Sequence, residues 1–323
     1  MTTKSRTLRL LEESQGDYVS GVKLASALGI SRNAVWKAVN ALREEGYDIA
    51  ATTNKGYRLS QDSDLLSPVS IGRFLPAGHP FDIVLRKRVT STNTEAQQLA
   101  LLGAPEGTVV VAEEQTAGKG RRGKSFFSPA STGIYLSIVL RPLLQANASA
   151  CLTAAAAVAC AQAIEAVTGR KTAIKWINDI FCDGRKVVGI LTEGALSVES
   201  GRFEYAVLGI GINVKPPSAG FPSEMADVAG ALCPVNADPL RSKLAAEVLA
   251  RFWGLYENLD SRSFYSDYRD RCFLLDQPIV ITRRGQRIRA RAVDLTEDFQ
   301  LVIELPDKTR ENLQYGEVST ARA

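Results

Sequence analysis

The sequence predicts a multidomain α/β (α+β) protein, and three patterns predict it. The first sixty residues carry apolar side chains at helical spacing between short turns. The region 81–273 alternates β-branched runs with alanine-rich helical stretches, which is typical of a mixed sheet covered by helices. The last fifty residues change to short alternating strands separated by turns. We therefore expect domains at 1–62, 81–273 and 274–323, with a linker at 63–80 and a small β-barrel at the C-terminal end.

Short helices near the N-terminus are spaced as in a helix-turn-helix. Ser20 can cap the second helix, which Gly29 follows. After the tight turn, Ser31 can cap the third helix. The segment 47–59 then reads as two strands joined by Asn54-Lys55-Gly56. A hairpin that follows the third helix in the sequence makes the predicted domain a winged helix-turn-helix.

The third helix has an apolar face, formed by Val35, Val39 and Leu42, and a polar face opposite to it. In a helix-turn-helix the polar face of this helix enters the major groove of DNA. The predicted DNA-binding residues lie on this face and at the tip of the wing: Arg32, Asn33, Trp36, Lys37, Asn40 and Lys55. Residues 1–60 also hold nine Lys/Arg and six Asp/Glu, which is +3 of the net charge of +4. A small packing domain with an ordinary charged face is the alternative, and a steep salt dependence of DNA binding would exclude it.

Composition favours a cytoplasmic location. The five cysteines are widely spaced and form no CxxC pair, so we expect reduced thiols and neither a disulfide framework nor a structural zinc. Residues 2–15 are polar, which argues against a signal peptide. The apolar run 148–167 is alanine-rich and interrupted by polar residues, so we expect a buried helix and no membrane span.

The chain has a single histidine, His79, which lies beside Pro80 in the predicted linker. Triads and metal sites that need a histidine would all have to use this residue. We expect a structural role for it. Any chemistry is then expected to depend on positioning and positive charge.

The stretch 109–129 contains a basic, glycine-rich loop. Four cations alternate with glycines there: Lys119, Arg121, Arg122 and Lys124. Glycine lets an anion approach the backbone closely, so the loop predicts an anion site. The sequence of this loop fits both the dinucleotide-binding pattern GxGxxG and the P-loop pattern GxxxxGKS, but both motifs need a helix directly after the loop. The residues after Ser125 predict a strand at 133–140, so we expect a basic loop between two strands and neither motif.

Two further stretches carry polar residues next to predicted strands. Ser91, Thr92 and Asn93 precede a helix and could simply cap it. The stretch 174–193 predicts one strand, a turn at Asp183-Gly184 and a second strand, with Lys175 inside the first. A lysine there is often an ordinary edge residue, although it could also neutralise phosphate.

Four motifs on one chain, GKGRRGKSF, KWIND, GILTE and GIGINV, resemble those of the biotin–protein ligases in order and spacing. With the winged helix in front, the chain is similar to the bifunctional class that also represses the biotin operon. The resemblance implies a ligase that makes biotinyl-5′-AMP from biotin and magnesium-bound ATP, without a tightly bound metal. This ligase then transfers biotin to a lysine of the biotin carboxyl carrier protein. It also implies a homodimer that binds the operator DNA of biotin genes with the adenylate as corepressor.

The resemblance also implies roles for individual residues. Catalytic roles fall to Lys175 and Arg121. The implied biotin-binding residues are Ser91, Thr92, Asn93, Gln115, Lys119, Gly120, Arg121 and Lys175. The implied ATP-binding or adenylate-binding residues are Arg121, Arg122, Phe126, Lys175, Asn178 and Asn213.

Three positions depart from the commonest family pattern. Lys119 replaces an arginine, Phe126 a tryptophan and Ile177 a proline. We expect these changes to alter the affinity for the adenylate and not to abolish activity. The alternatives are a lipoate or octanoyl ligase, which shares the catalytic architecture, and a DNA-binding sensor of biotin without turnover.

Overall fold

A computed structural model of the chain describes residues 2–14, 16–44, 47–60, 64, 66–142, 149–197, 199–234, 240–283, 286–314 and 316–320. The chain divides into two compact units. The first comprises Met1–Phe74 with Asp238–Lys243, and the second comprises Leu75–Ala237 with Leu244–Ala323.

The first unit contains the predicted winged helix-turn-helix. Its elements are α1 (Thr3–Glu13), α2 (Gly21–Leu28), α3 (Arg32–Glu44), β1 (Ile49–Thr52), β2 (Gly56–Leu59) and α4 (Pro68–Gly72). Both predicted caps are confirmed. Ser20 Oγ accepts from Lys23 N at 3.1 Å, and Ser31 Oγ accepts from Ala34 N at 3.2 Å. Gly29 ends α2 with a positive φ of 66°, a conformation that glycine adopts without strain. The core between helices and wing includes Leu11, Val35 and Val39, which are fully buried.

The second unit is built on a mixed sheet. Its strands are β3 (Asp82–Val89), β4 (Thr108–Gln115), β5 (Gly133–Leu140), β6 (Ala173–Lys175), β7 (Asp179–Cys182), β8 (Arg185–Leu196) and β9 (Phe203–Asn213). The order in space among the described residues is β3-β4-β5-β9-β8-β7-β6. Strands β3 and β4 are parallel, and the other neighbours are antiparallel.

Two helices cover opposite faces of this sheet. Helix α5 (Thr92–Leu101) packs Ala96 and Ala100 against Val110 and Val207. Helix α6 (Ser149–Thr168) lies on the other face, where Thr153 Oγ1 is 2.8 Å from Thr192 Oγ1. Helix α6 is long and apolar enough to cross a membrane, but 72% of its apolar window is buried inside the protein. It is therefore a core helix, in agreement with the prediction for 148–167.

One strand prediction was wrong. The sequence predicted a single strand before the turn at Asp183-Gly184, but the structure has two strands there, β6 and β7, which form a hairpin. The residues Trp176–Asn178 make the connection: Trp176 and Ile177 bond to Phe299 and Tyr268 outside the sheet, and Asn178 bonds to Ile190 on β8. As a result Lys175 is the last residue of the edge strand β6.

The C-terminal strands form an open sheet. They are β10 (Pro278–Arg283), β11 (Gln286–Leu295), β12 (Leu301–Glu304), β13 (Arg310–Leu313) and β14 (Glu317–Thr320), and they follow helices α7 (Arg241–Tyr256) and α8 (Tyr265–Arg271). The order in space is β13-β12-β11-β10-β14, with antiparallel neighbours. The predicted barrel is therefore not closed in the described residues, because β14 pairs with β10 and leaves β13 at the opposite edge. The sequence also predicts a turn at Arg284-Gly285-Gln286, whose first two residues lie outside the described residues.

Candidate active site

A cavity of about 470 Å³ lies on the face of the mixed sheet that also carries α5. Every residue that the sequence analysis assigned to biotin or nucleotide lines this one cavity. These residues are Ser91, Thr92, Asn93, Gln115, Lys119, Gly120, Arg121, Arg122, Phe126, Lys175, Asn178 and Asn213. They come from five separate segments of the chain (91–93, 115, 119–126, 175–178 and 213), so their convergence is a property of the fold.

The floor of the cavity is a row of register partners across the sheet. Lys175 pairs with Asp179, Asp179 with Gly189, and Gly189 with Gly211. Directly opposed residues of neighbouring strands point to the same face. The row therefore places a lysine and a carboxylate at one end and two glycines, which leave the floor flat, at the other.

The ring of Phe126 rests on these two glycines. A Cβ on Gly211 would lie 2.5 Å from the ring atom Cε1, and a Cβ on Gly189 would lie 3.0 Å from Cε2. Both distances are shorter than ordinary contacts, so glycine is needed beneath the ring. Phe126 also makes an edge contact with Tyr135, with ring centroids 6.4 Å apart.

The basic loop folds back on itself between β4 and β5, as predicted. Gly120 N donates to Lys124 O at 2.7 Å, and Phe126 N donates to Gly118 O at 2.8 Å. A Cβ on Gly118 would lie 2.3 Å from Phe126 O, so this close return requires glycine. The loop contains a single 3₁₀ turn and leads to Gly133, where β5 starts, so neither phosphate motif has its helix.

Arg121 connects the loop to the β6–β7 connection. Its Nη1 donates to Asn178 Oδ1 at 3.1 Å. Burial lowers the pKa of the Arg121 guanidinium, and the nearby Asp179 carboxylate partly opposes this. A guanidinium remains charged even so, which gives the cavity a partly desolvated positive charge.

The cavity is electropositive as a whole. Six cationic side chains line it: Lys119, Arg121, Arg122, Lys124, Lys175 and Lys186. The lining contains two carboxylates, Asp179 and Glu224, and Asp179 Oδ1 is 2.7 Å from Lys186 Nζ. Such a surface favours an anion with several charges. Among the described residues no group of three or more His, Cys, Asp or Glu side chains could hold a metal ion.

The opposite end of the cavity is a polar cluster at the start of α5. Gln115 Oε1 accepts from Thr92 N at 2.8 Å and from Thr92 Oγ1 at 3.1 Å, while its Nε2 donates to Ser128 Oγ at 2.8 Å. Ser91 occupies the N-cap position of α5 but makes no side-chain capping bond, and it is 2% exposed. The capping interpretation therefore does not account for the Ser91 hydroxyl.

Asn93 is anchored more firmly than the sequence indicated. Its Nδ2 donates to Glu193 Oε2 at 2.8 Å, and its Oδ1 is 2.6 Å from Ser137 Oγ. A Cβ on Gly209 would lie 2.1 Å from this Oδ1, so the first of the two glycines of β9 makes room for the amide. Ser137 was missed because nothing in its local sequence distinguishes it from an ordinary strand residue, and Glu193 was given no role although it ends the GILTE motif.

Other parts of the lining were also missed. They include a loop after β9 (Phe221, Glu224, Met225, Val228 and Ala229) and two positions near the C-terminus (Gly316 and Val318). Lys186 N donates to Val228 O and Gly230 N donates to Lys186 O, both at 2.8 Å, which pins the loop to β8. Long-range pairing of this kind leaves no local signal in the sequence.

His79 is not among the lining residues. Its Nδ1 accepts from Phe81 N at 3.2 Å, and its ring stacks on Phe81 with centroids 5.8 Å apart. These contacts are structural, as expected from its position.

The polar face of α3 in the first unit is exposed. Arg32, Asn33, Trp36 and Lys37 are exposed and Asn40 is half-buried, whereas Val35, Val39 and Leu42 are buried. The exposed Lys55 lies in the turn of the wing, and its Nζ is 5.9 Å from the centre of the Tyr18 ring. A polar face of this kind with a basic wing suits a DNA-binding surface.

Comparisons with known proteins agree with this architecture. A model of the biotin/lipoate A/B protein ligase family matches residues 85–213, and a model described as an HTH domain matches residues 3–58. The bifunctional ligase/repressor BirA of Bacillus spizizenii is 38% identical over 269 residues, which cover 81% of each chain. Its counterpart in Bacillus subtilis is 37% identical over the same length and shares.

A solved structure is also similar. The biotin protein ligase from Aquifex aeolicus in complex with biotin and ATP superimposes with a TM-score of 0.60 at 25% identity. The match covers 75% of the present chain and 99% of that one. Identity of 38% with a bifunctional ligase/repressor over most of both chains, together with the two matching domains, shows that the chain belongs to the biotin/lipoate A/B protein ligase family, in the class with an N-terminal helix-turn-helix domain.

Proposed function

We propose that the chain is an ATP-dependent biotin–protein ligase that also represses transcription of biotin-synthesis genes. The single observation that carries the ligase proposal is the cavity. It joins a polar cluster at Ser91–Asn93 to a strongly cationic loop, and Lys175 lies in its lining. The family relationship adds that relatives with both domains are ligase/repressors.

Biotin is an anion with one carboxylate and a ureido ring at the other end. The polar cluster of Ser91, Thr92, Asn93 and Gln115 offers donors and acceptors for the ring. Lys119 and Arg121 offer positive charge for the carboxylate, and Gly120 lets it approach the backbone closely. Binding the molecule between them directs the carboxylate toward the cationic half of the cavity.

ATP occupies the cationic half in this proposal. Its triphosphate lies against the loop that contains Arg121 and Arg122, and its adenine takes the flat region near Phe126, Asn178 and Asn213. Magnesium enters with ATP as part of the substrate and is held by the phosphates. The six cations of the lining fit a ligand with several negative charges.

In the first step a carboxylate oxygen of biotin attacks the α-phosphorus of ATP. The bond between that phosphorus and the oxygen bridging to the β-phosphate breaks, and pyrophosphate leaves. The product is the mixed anhydride biotinyl-5′-AMP. Lys175 and Arg121 stabilise the charge that develops on the phosphoryl oxygens, which is electrostatic catalysis without an enzyme nucleophile.

In the second step the neutral amine of an acceptor lysine attacks the acyl carbon of the anhydride. The bond from that carbon to the AMP oxygen breaks, AMP leaves, and the amine loses a proton as the amide forms. The acceptor is the biotin carboxyl carrier protein. Neither step needs a histidine base, in keeping with the structural contacts of His79.

The first unit binds the operator of biotin genes through α3 and the wing. Biotinyl-5′-AMP acts as corepressor, because it orders the basic loop and favours a cytoplasmic homodimer whose two winged helices meet two operator half-sites. An adenylate that changed neither the oligomeric state nor the operator affinity would exclude this link.

The decisive experiment is pyrophosphate–ATP exchange by the purified chain with biotin, with lipoate or with neither. We expect exchange that depends on biotin. Exchange with lipoate alone would make the chain a lipoate ligase. No exchange with either acid, combined with operator binding, would leave a sensor without turnover.

A further inference from the structure

Each of the three residues that connect β6 and β7 forms a hydrogen bond to another segment of the chain. Trp176 Nε1 donates to Phe299 O at 2.7 Å, and Ile177 O accepts from Tyr268 Oη at 3.2 Å. Asn178 O accepts from Ile190 N at 3.0 Å, and Asn178 Nδ2 donates to Ile190 O at 3.1 Å. The peptide bond between Trp176 and Ile177 is cis.

Tyr268 lies on α8 and is completely buried. Burial raises the pKa of the Tyr268 phenol well above its ordinary value, so the hydroxyl remains a proton donor at any physiological pH. The hydroxyl donates to the main chain of the connection, and not to a side chain. Its removal therefore changes one hydrogen bond and leaves the packing of the ring in place.

Phe299 lies between β11 and β12 of the C-terminal sheet and holds its carbonyl group in a fixed position. Its φ is 59°, in the left-handed region that a non-glycine residue rarely adopts. Aromatic rings surround it: Phe264 stacks on it at 5.3 Å, and Tyr268 meets it edge-on at 5.2 Å. Tyr268, whose hydroxyl donates to Ile177 O, is therefore also one of the aromatic residues that pack around Phe299.

We propose that Tyr268 and the carbonyl group of Phe299 are positioning groups that hold the β6–β7 connection, and through it Lys175, in the geometry needed for adenylate formation. Lys175 is the residue directly before Trp176, and its register partner Asp179 directly follows Asn178. The backbone on both sides of the connection is thereby fixed relative to the cavity floor. Lys175 ends β6, a strand of three residues at the edge of the sheet, and on the outer side of this strand Ile174 O accepts from Phe273 N at 3.2 Å.

This inference rests on the proposed function, because it assumes that Lys175 stabilises the reacting phosphate. A flexible lysine stabilises a transition state well only when its backbone is fixed, since a shift of about 1 Å can reduce the rate about 100-fold. The inference also assigns the C-terminal sheet a role that its position after the catalytic motifs did not indicate.

The test is a double-mutant cycle of Tyr268→Phe with Lys175→Gln in the full chain, read by biotin-dependent pyrophosphate exchange. We expect Tyr268→Phe to lower kcat about 10-fold to 100-fold with little change in KM for biotin or ATP. In the Lys175→Gln background the same change should cost almost nothing, because the group that it positions is gone. A role in overall stability would instead lower the rate by the same factor in both backgrounds, and that outcome would overturn the proposal.

Tyr265→Phe is the matched control on the same helix. The Tyr265 hydroxyl donates to Leu295 O at 2.6 Å, and its ring also packs on Phe299, but no bond joins it to the connection. We expect its kcat to equal that of the wild-type protein.

A second variant, Trp176→Phe, removes the bond to Phe299 O and should lower kcat. The loss of kcat in the double variant with Tyr268→Phe should be smaller than the product of the two single losses. Equal losses for Tyr265→Phe and Tyr268→Phe would also overturn the proposal, whereas a wild-type chain without exchange would refute the proposed function itself.

Discussion

The ring of Phe126 lies on Gly211 so closely that a Cβ on the glycine would be 2.5 Å from the ring. Gly211 and Gly189 are register partners on β9 and β8, and both lie beneath the same ring. Two glycines side by side form a flat patch beneath the ring. This patch is where the proposed adenine site and the loop meet.

Gly211→Ala should weaken nucleotide binding more than biotin binding. The added methyl group must displace either the Phe126 ring or β9, which costs about 1–3 kcal/mol of folding free energy when a packed site is overfilled. We expect a higher KM for ATP, an almost unchanged KM for biotin and a lower denaturation midpoint. Steady-state kinetics and denaturant unfolding measure these effects.

Gly254→Ala is the control for this substitution. Nothing lies within 4 Å of a Cβ at Gly254, which is in helix α7. Alanine there should leave the kinetics unchanged and raise stability by about 0.5–1 kcal/mol. A Gly211→Ala protein with the wild-type KM for ATP would show that nucleotide does not use the glycine patch.

Lys175→Gln should lower the rate of adenylate formation about 100-fold to 1000-fold, as expected when one group that stabilises transition-state charge is lost. Operator binding without adenylate should be unchanged. Lys171→Gln is the matched control, because Lys171 is an exposed lysine four positions earlier that does not line the cavity. Equal rates for the two variants would remove Lys175 from the mechanism.

Operator affinity should depend steeply on salt, and the exposed cations of α3 should account for part of the slope. Arg32→Ala and Lys37→Ala should each reduce the slope of log affinity against log salt by about 0.9 if each residue contacts one phosphate. Gel shifts at several salt concentrations measure the slope. Arg9→Ala on α1 is the control, since Arg9 is exposed but pairs with Glu13 at 2.7 Å. A slope that the α3 variants do not change would place the DNA elsewhere.

Local patterns in the sequence predicted most of this architecture. Caps at Ser20 and Ser31 and the basic loop between two strands are confirmed, because each depends on neighbours within a few residues. All twelve candidate ligand residues line one cavity, although their individual roles stay predictions. The domain boundaries at 62, 80 and 273 also stay predictions.

What the sequence could not predict depends on contacts between distant segments. The break between β6 and β7 is stabilised by Tyr268 and Phe299, which lie more than ninety residues further along the chain. Closure of the C-terminal barrel failed as a prediction because alternating strands indicate a sheet but not which edges pair. The bonds of Asn93 to Ser137 and Glu193 join residues that are 44 and 100 positions apart, so no local pattern predicts them.

Glu12 should make the stability of the first unit depend on pH. It lies on α1 and is 7% exposed, and its Oε1 accepts from Ser67 Oγ at 2.7 Å. Its Oε2 is buried and has no hydrogen-bond partner in the described residues. Burial raises the pKa of Glu12 to about 7 from an ordinary value of 4.5, a shift that Ser67 and Arg73 partly oppose and Glu13 slightly increases.

The direction of the effect follows from this raised pKa. The folded state holds the proton more tightly than the unfolded state, so the contribution is fully present below about pH 4.5 and is lost as the pH rises to about 7. A shift of this size corresponds to about 3 kcal/mol of unfolding free energy. Glu12→Gln is uncharged at every pH, so its stability relative to the wild-type protein should rise across this window and then level off.

Hydrogen exchange of the amides in α1 to α3, measured in the full chain between pH 4.5 and pH 8 and corrected for intrinsic exchange rates, reports on this unit directly. The comparison with Glu12→Gln at each pH cancels the titration of other groups. Glu13→Gln is the control, since Glu13 is exposed and pairs with Arg9 on the surface, where ion pairs contribute little. A constant difference between the wild-type protein and Glu12→Gln across the range would mean that Glu12 keeps its ordinary pKa, and that the buried carboxyl group is charged in the folded state.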